Sequence, residues 1–351
     1  MDETLHINYM ARCIELAQKG RGSVAPNPMV GAVLVHDGRI IGEGFHQKYG
    51  QAHAEVNCIN DALQKFPALI SSSTMYVSLE PCAHFGKTPP CADLVIQHNI
   101  PKVVVACRDS FAAVSGKGIE RLQQAGIEVT EGILEKEAIA LNKRFFTFHA
   151  HKRPYIILKW AQTADGFMGS GAKQRMLITN PVTNRLVHQW RSLETGILIG
   201  AKTAITDDPL LDNRHWYGRS PVKILIDPAL KCPVHLQMFQ QGESVLIANQ
   251  EKEGSEGRCV YLKINRETLL PNLMARLYEK NILSIFVEGG NHTLQAFINA
   301  GLWDEARIIT NTSLTAGGGL RSPQLNNAIK TNEHFYLTDR VEIFTNHNAG
   351  T

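Results

Sequence analysis

The sequence predicts an α/β fold divided into two domains, and three observations lead to this prediction. The chain has 351 residues, which is long enough for two domains that each bury a full core. Apolar residues make up 44% of it and charged residues 20%, which is typical of a globular protein. Helical and strand-like patterns alternate in the first half and then start again with the apolar run over residues 155–160.

The first half predicts helices and strands around one central sheet. Apolar residues recur at helical spacing near the start: Leu5, Tyr9, Cys13 and Leu16. Residues 31–35 and 39–44 predict a hairpin that turns at Asp37-Gly38. The further predicted elements are a helix from His53, a buried strand over 74–79, a helix from Cys91, a strand over 103–106 and a helix that ends near residue 126.

The second half predicts another complete α/β domain. Its predicted strands cover residues 155–160, 196–200, 222–227, 244–248, 259–264, 283–288, 305–311 and 340–345. One predicted helix follows Pro181, and two others cover residues 269–280 and 293–300. We therefore divide the chain into a first domain over 1–147, a linker over 148–154 and a second domain over 155–351.

Residues 142–154 mix basic and aromatic side chains, a combination that can indicate contact with nucleic acid. The segment is short, however, and lies where one α/β pattern ends and the next begins. The net charge of the chain is only +3. We therefore favour a segment that connects the domains, because a local charge cluster is usually a solvated face.

The most specific motif combines His53, Glu55, Cys82 and Cys91. One histidine and two cysteines can hold a zinc ion and leave its fourth position for water, which ionises near neutral pH on the metal. Glu55 need not bind the metal and is placed to transfer protons. This combination is typical of zinc-dependent nucleobase deaminases.

Two other interpretations of these residues remain open. His84 could supply a fourth ligand and close a structural zinc site, or the residues could be unrelated. Structural sites often space their cysteines two residues apart, whereas Cys82 and Cys91 are nine positions apart. The spacing therefore favours a catalytic site.

In the second half, Gly289-Gly290 separate a predicted strand from a predicted helix. Backbone amides at such a junction can approach a phosphate, and the helix dipole assists. The pair could equally be an ordinary tight turn, since no G-x-G-x-x-G motif is present. Arg191 and Arg214 are candidates for binding an anion, although single arginines are more often surface residues.

The composition of the chain indicates the compartment in which the protein is expected to work. Seven cysteines, scattered and odd in number, argue against a disulfide framework and fit a reducing cytoplasm. The acidic N-terminus does not resemble a signal peptide, and no apolar run approaches the length of a membrane span. We expect no membrane partner and no nucleic-acid partner.

Several longer stretches resemble the bifunctional deaminase/reductase family of riboflavin biosynthesis over nearly the whole chain. In the first half they are residues 26–31, 44–46, 53–55 and 80–91. In the second half they are 158–159, 165–166, 178–179, Thr203 with 207–209, and 287–290. The segment from Cys82 to Cys91 is the most specific of them.

The resemblance implies a cytidine-deaminase-like α/β/α domain followed by a dihydrofolate-reductase-like α/β domain. The first would deaminate 2,5-diamino-6-(5-phosphoribosylamino)pyrimidin-4(3H)-one, a small pyrimidine ribotide, with Zn²⁺. The second would reduce the ribosyl group of the product to ribityl with NADPH. A nucleic-acid deaminase acting on tRNA, with an accessory C-terminal domain, is the alternative. We also expect a homo-oligomer, because enzymes of this size commonly form one.

The resemblance also assigns site residues. It places His53, Cys82 and Cys91 on zinc and makes Glu55 the proton shuttle. The first substrate would contact Asn27, His46, His84 and Lys87. The cofactor would contact Ala161, Leu177, Thr203, Asp207, Pro228, Gly290, Asn291, His292, Thr293, Leu294, Gln295 and Ala296. The second substrate would contact Arg175, Arg191, Leu211, Arg214 and Glu288.

The chain departs from the family pattern at three places. Leu177 stands where members often carry a tryptophan that stacks on the cofactor, and Arg175 stands at a substrate position. Residues 109–114 lack the usual Pro-Asn after Asp109. We expect these differences to alter the detailed geometry of the two pockets and not their chemistry.

Overall fold

The computed structural model describes residues 3–83, 89–110, 115–170 and 176–347. The chain forms two compact units, Met1–Lys152 and Arg153–Thr351. The division falls inside the segment 148–154 that the sequence predicts as a linker. Residues 148–151 of that segment belong to a helix, which has formed because Phe148 is buried in the first unit.

The described part of the first unit contains a five-stranded sheet and six α-helices. The strands are β1 (Gly31–His36), β2 (Arg39–Phe45), β3 (Thr74–Val77), β4 (Lys102–Val105) and β5 (Glu128–Glu131), in the order β2-β1-β3-β4-β5. The helices are α1 (Glu3–Gln18), α2 (Ala54–Lys65), α3 (Cys91–Gln97), α4 (Lys117–Gln124), α5 (Glu135–Leu141) and α6 (Lys143–His151). A 3₁₀ turn covers Pro67–Ser72.

Side chains from both faces of this sheet build the core of the first unit. Because successive residues of a strand point to opposite faces, Met75 and Val77 pack with α2, α3 and α4, whereas Tyr76 packs with α1 and α5. The unit therefore has the α/β/α arrangement that the resemblance implied. The predicted hairpin and the helix that starts at Cys91 are confirmed. The strand predicted over 74–79 is shorter, because pairing with β1 ends at Val77.

The described part of the second unit contains a ten-stranded sheet. Its strands are β6 (Tyr155–Thr163), β8 (Gly196–Gly200), β9 (Val222–Ile226), β10 (Val245–Asn249), β11 (Gly254–Glu256), β12 (Cys259–Lys263), β13 (Ser284–Val287), β14 (Glu305–Asn311), β16 (Ala328–Tyr336) and β17 (Asp339–Asn346). Two short strands, β7 (Phe167–Gly169) and β15 (Leu320–Arg321), pair separately. The helices are α7 (Pro181–Leu193), α8 (Ala201–Asp207), α9 (Gln237–Gln240), α10 (Leu269–Glu279) and α11 (Asn291–Asn299).

The strand order of the large sheet is β11-β12-β10-β9-β8-β13-β6-β14-β17-β16. The seven strands from β12 to β14 are parallel, and the flanking pairs are antiparallel. After β8 the chain continues toward β9, whereas after β13 it crosses toward β14. The carboxyl ends of β8 and β13 therefore form the topological switch point where ligands of open α/β sheets bind.

The eight strands predicted in the second half are present, and their ends agree with the predicted ends to within one residue, except that β6 continues to Thr163, three residues beyond the prediction. The strands β7, β11, β15 and β16 were not predicted. The longest of them, β16, is exposed along most of its length and lacks an apolar pattern.

Candidate active sites

The three predicted zinc ligands converge in the first unit. His53 caps the N-terminus of α2, Cys82 follows β3, and Cys91 is the first residue of α3. One ligand atom from each lies within 4.8 Å of the others. His53 Nδ1 lies 3.7 Å from Cys82 Sγ and 3.3 Å from Cys91 Sγ. Tetrahedral zinc bonds of about 2.0 Å to nitrogen and 2.3 Å to sulfur would separate such atoms by about 3.6 Å, so the three residues fit the ion.

The two thiols differ in how readily they ionise. The pKa of Cys82 is lowered to about 4, because its sulfur accepts hydrogen bonds from the Cys91 thiol, from His53 and from the Cys91 backbone N–H. The pKa of Cys91 is raised, because this thiol keeps the proton that the pair shares and is buried. Zinc binds thiolates, so metal binding would release this proton.

Glu55 lies in the first turn of α2 and is 3% exposed. Its pKa is raised to about 7, first by burial and then by the negative charge at Cys82. A carboxyl that titrates near neutral pH can both accept and donate a proton. The groups that act on this carboxyl are Cys82, His53 and Cys91, so Glu55 lies next to the three predicted zinc ligands.

Asn27 and His46 extend this site. His46 Nδ1 lies 3.0 Å from the carbonyl oxygen of Ala52 and must donate to it. Burial lowers the pKa of His46, so the ring is neutral and its Nε2 accepts from Asn27 Nδ2 at 3.2 Å. The rings of His46 and His53 meet edge to face with centroids 5.4 Å apart. Two of the four predicted substrate residues thus lie beside the zinc ligands, and the other two, His84 and Lys87, lie outside the described residues.

Two polar side chains near this site form networks of hydrogen bonds that the sequence analysis did not predict. The side-chain amide of Asn142 accepts from the Met29 N–H and donates to the Met29 carbonyl, at 2.8 Å each, and so holds the segment that carries Asn27. The buried carboxylate of Glu80 accepts from several backbone N–H groups. Neither role has a local sequence signal, because the partners are 29 or more residues away.

At the switch point of the second unit, the elements after β8 and β13 are joined. Thr203, in α8, accepts a hydrogen bond through Oγ1 from the Gly290 N–H at 2.9 Å. A Cβ on Gly289 would lie 2.8 Å from the Thr293 Cβ, so the backbone there approaches α11 more closely than a side chain would allow. The first N–H groups of α11 have no acceptor within the helix. Helix N-termini of this kind are places where phosphate groups can bind.

The predicted cofactor residues differ in how accessible they are. Thr203 and Asp207 share one face of α8, four residues apart. Leu177 is 78% exposed, and Ala161 lies in β6. The side chain of Leu294, in contrast, is fully buried in the core and cannot reach a ligand. The remaining predicted positions are Pro228, directly after Asp227 at the carboxyl end of β9, and the α11 residues Asn291, His292, Thr293, Gln295 and Ala296.

A buried charge cluster lies beside the switch point. Arg191 binds the carboxylate of Glu288 through two hydrogen bonds, of 2.6 and 3.0 Å, and Lys159 Nζ lies 3.4 Å from the same carboxylate. Burial disfavours the charge of Glu288, but the two cations outweigh it and lower its pKa to about 2. Arg191 is therefore occupied by a protein carboxylate, and its role as a free anion clamp is limited.

Arg214 lies in a more open setting. It lines a cavity of about 740 Å³ together with Arg185, His215, Trp216, Tyr217, Pro181 and Asn184. Its guanidinium is 2.5 Å from Asp212, on the same loop. Leu211, predicted at a substrate position, is 2% exposed and packs in the core, so only its backbone can face a ligand. Arg175 lies outside the described residues.

Residues 142–154, the segment with basic and aromatic side chains, mostly form α6. Phe145 and Phe148 are buried in the core and cannot stack on bases. None of the helices that the structure describes is long and apolar enough to span a membrane.

Comparison with known proteins finds a family model for each of the two units. Residues 3–107 match the cytidine and deoxycytidylate deaminase zinc-binding region, and residues 154–336 match the RibD C-terminal domain. The second match covers more than half of the chain. The chain belongs to the RibD family. It is a bifunctional enzyme of riboflavin biosynthesis, with a zinc-binding deaminase domain and an NADPH-using reductase domain, and the alternative of a tRNA deaminase is not supported.

Relatives are similar over nearly their whole length. The riboflavin biosynthesis protein RibD of Aquifex aeolicus is 39% identical over 89% of this chain and 88% of its own, and that of Escherichia coli is 38% identical over 85% of each. A solved deaminase/reductase structure from Thermotoga maritima is 34% identical, with a TM-score of 0.89 over 98% of this chain and 99% of its own. Acinetobacter baumannii RibD has the same TM-score at 30% identity and the same coverage.

Proposed function

We propose that this RibD family member deaminates 2,5-diamino-6-(5-phosphoribosylamino)pyrimidin-4(3H)-one and then reduces the ribosyl group of the product to ribityl. The observation that carries the proposal is the convergence of His53, Cys82 and Cys91 beside a buried Glu55. The Thermotoga maritima relative is described as a diaminohydroxyphosphoribosylaminopyrimidine deaminase and 5-amino-6-(5-phosphoribosylamino)uracil reductase.

In the first reaction, zinc held by the three ligands would act as a Lewis acid that makes water nucleophilic. Glu55 would take a proton from the attacking water and deliver protons to the ring nitrogen and to the leaving amine, so that C2 loses ammonia and gains a carbonyl oxygen. Asn27 and the neutral His46 would orient the pyrimidine ring. His84 and Lys87 are proposed to complete this pocket.

In the second reaction, NADPH would supply the hydride. We assign its phosphates to the junction of Thr203 and the first turn of α11, at the carboxyl ends of β8 and β13. The substrate would lie next to Lys159, Arg191 and Glu288, and Arg214, which lines an open cavity, would be the cation that is accessible to its phosphate.

The setting of the enzyme is also proposed. We infer that it works in the cytoplasm as a homo-oligomer, on a small pyrimidine ribotide, without a nucleic-acid partner. Seven cysteines without a disulfide among the described residues suit a reducing compartment.

A mass-spectrometric time course tests the two reactions and their order. The substrate is given to the purified chain first without and then with NADPH, and wild type is compared with Glu55→Gln. Wild type should form the deaminated product alone and then the ribityl product. Glu55→Gln should form neither the deaminated nor the ribityl product from the first substrate. When it is given the deaminated substrate directly, it should reduce that substrate at the wild-type rate. Deamination by Glu55→Gln would remove Glu55 from the role of proton shuttle.

A further inference from the structure

Glu80, two residues before the zinc ligand Cys82, has a carboxylate that is almost completely buried, with 4% of the residue exposed. Both of its oxygens accept from backbone N–H groups, one in the loop after β4 and three at the start of α4. The donors are Asp109 and Gly116 to Oε2, at 3.1 and 2.9 Å, and Gly118 and Ile119 to Oε1, at 2.9 and 3.4 Å. The two oxygens of Glu80 thus serve as acceptors for N–H groups that have no partner within the first turn of the helix.

The backbone around Glu80 is also fixed by close contacts. The Glu80 N–H donates to the Cys107 carbonyl at 3.0 Å. A Cβ on Gly118 would lie 1.9 Å from the carbonyl oxygen of Pro81, so only glycine permits this contact. The start of α4 therefore packs directly on the peptide that leads into Cys82.

Cys82 is fixed from its other side by α3. The Cys82 carbonyl accepts from the Ala92 N–H at 3.2 Å, and its sulfur accepts from the Cys91 N–H at 3.3 Å. The position of this ligand therefore depends on two anchors, one from α3 and one from Glu80. Outer groups that orient metal ligands typically change metal affinity or activity by about 10–100-fold when they are removed.

We propose that Glu80 is a positioning residue of the deaminase site, whose carboxylate ties the zinc ligand Cys82 to the start of α4. The inference rests on the zinc site proposed above. Glu80→Gln keeps the shape of the side chain but turns an NH₂ group toward N–H donors that need an acceptor. The unpaired donors and the freed Pro81-Cys82 segment should loosen the ligand without removing it.

The test measures zinc affinity by competition with a chromophoric chelator, together with the absorption spectrum of the cobalt-substituted protein. Glu80→Gln should bind zinc about 10-fold or more weakly and show a changed cobalt spectrum. Glu131→Gln is the matched control: it removes a carboxylate that pairs with Arg108 close to the same loop, and it should behave as wild type. Reduction of the deaminated substrate should be unchanged in both variants.

Glu80→Asp keeps the charge but shortens the side chain, so its zinc affinity should fall between those of wild type and Glu80→Gln. This variant keeps the test valid if Glu80→Gln does not fold. Wild-type zinc affinity and cobalt spectrum in Glu80→Gln, or in Glu80→Asp where Glu80→Gln is insoluble, would overturn the inference. Wild-type zinc affinity in Cys82→Ser would instead overturn the proposed zinc site itself.

Discussion

The buried carboxylate of Glu288 offers the sharpest quantitative prediction, through the substitution Glu288→Gln. This change removes the charge that Arg191 and Lys159 share, while it leaves the volume of the side chain almost unaltered. Both cations would then be buried without their counter-charge. We expect a large loss of stability that is confined to the reductase domain.

The size of this loss follows from the pKa of Glu288, which falls from its ordinary 4.5 to about 2 in the folded protein. At about 1.36 kcal/mol for each pH unit, the difference corresponds to about 3 kcal/mol at neutral pH. Removing one partner from a buried ion pair typically costs about 3–5 kcal/mol, which agrees. Because the folded-state pKa is the lower one, the stabilisation is fully present above pH 4.5 and is lost as the pH falls toward 2.

Urea unfolding followed by tryptophan fluorescence measures this loss, because all four tryptophans lie in the second unit. With a slope of about 2 kcal/mol per molar urea, the midpoint of Glu288→Gln should fall by about 1.5 M at pH 7. Glu333→Gln, which breaks a surface pair with Lys330, should cost less than about 1 kcal/mol. Two results would refute the reasoning. One is a fall in the urea midpoint of Glu288→Gln that is no larger than the fall for Glu333→Gln, and the other is a fall that is as large near pH 2 as at pH 7.

Three further results are expected. Leu177→Trp should lower the KM for NADPH about 5-fold or more, since stacking of a base on an aromatic ring contributes about 1–3 kcal/mol; an unchanged KM would take residue 177 out of the cofactor site. Removing zinc with a chelator should stop deamination and leave the rate of reduction unchanged. Loss of both activities together would contradict the assignment of the two reactions to separate domains. Gly44→Ala would bring a Cβ within 2.2 Å of the Cys58 backbone nitrogen. The free energy of unfolding should therefore fall by about 1–3 kcal/mol, and deaminase activity should be lost at a lower temperature than in wild type. An unchanged inactivation temperature would show that β2 and α2 can move apart to make room for the added methyl group.

The helices and strands that the sequence predicted carry a local apolar signal, which is either a set of apolar residues at helical spacing or a short run of apolar residues. The hairpin of β1 and β2, the strands β8 to β10 and the helix α7 were found for this reason. The exposed strand β16 was missed, because the middle of its sequence is a run of polar residues, Lys330 to His334, without an apolar signal. Its place in the sheet depends on pairing with β17.

The sequence by itself determined the chemistry of this protein. The residue types of His53, Glu55, Cys82 and Cys91, and their spacing, indicate a zinc deaminase before any contact between them is known. Only the tertiary structure decided which groups surround that chemistry. It buries Leu294, pairs Arg191 with Glu288, and seats Glu80 on the start of α4. These outcomes depend on contacts between residues far apart in the chain, and local spacing carries no information about such partners.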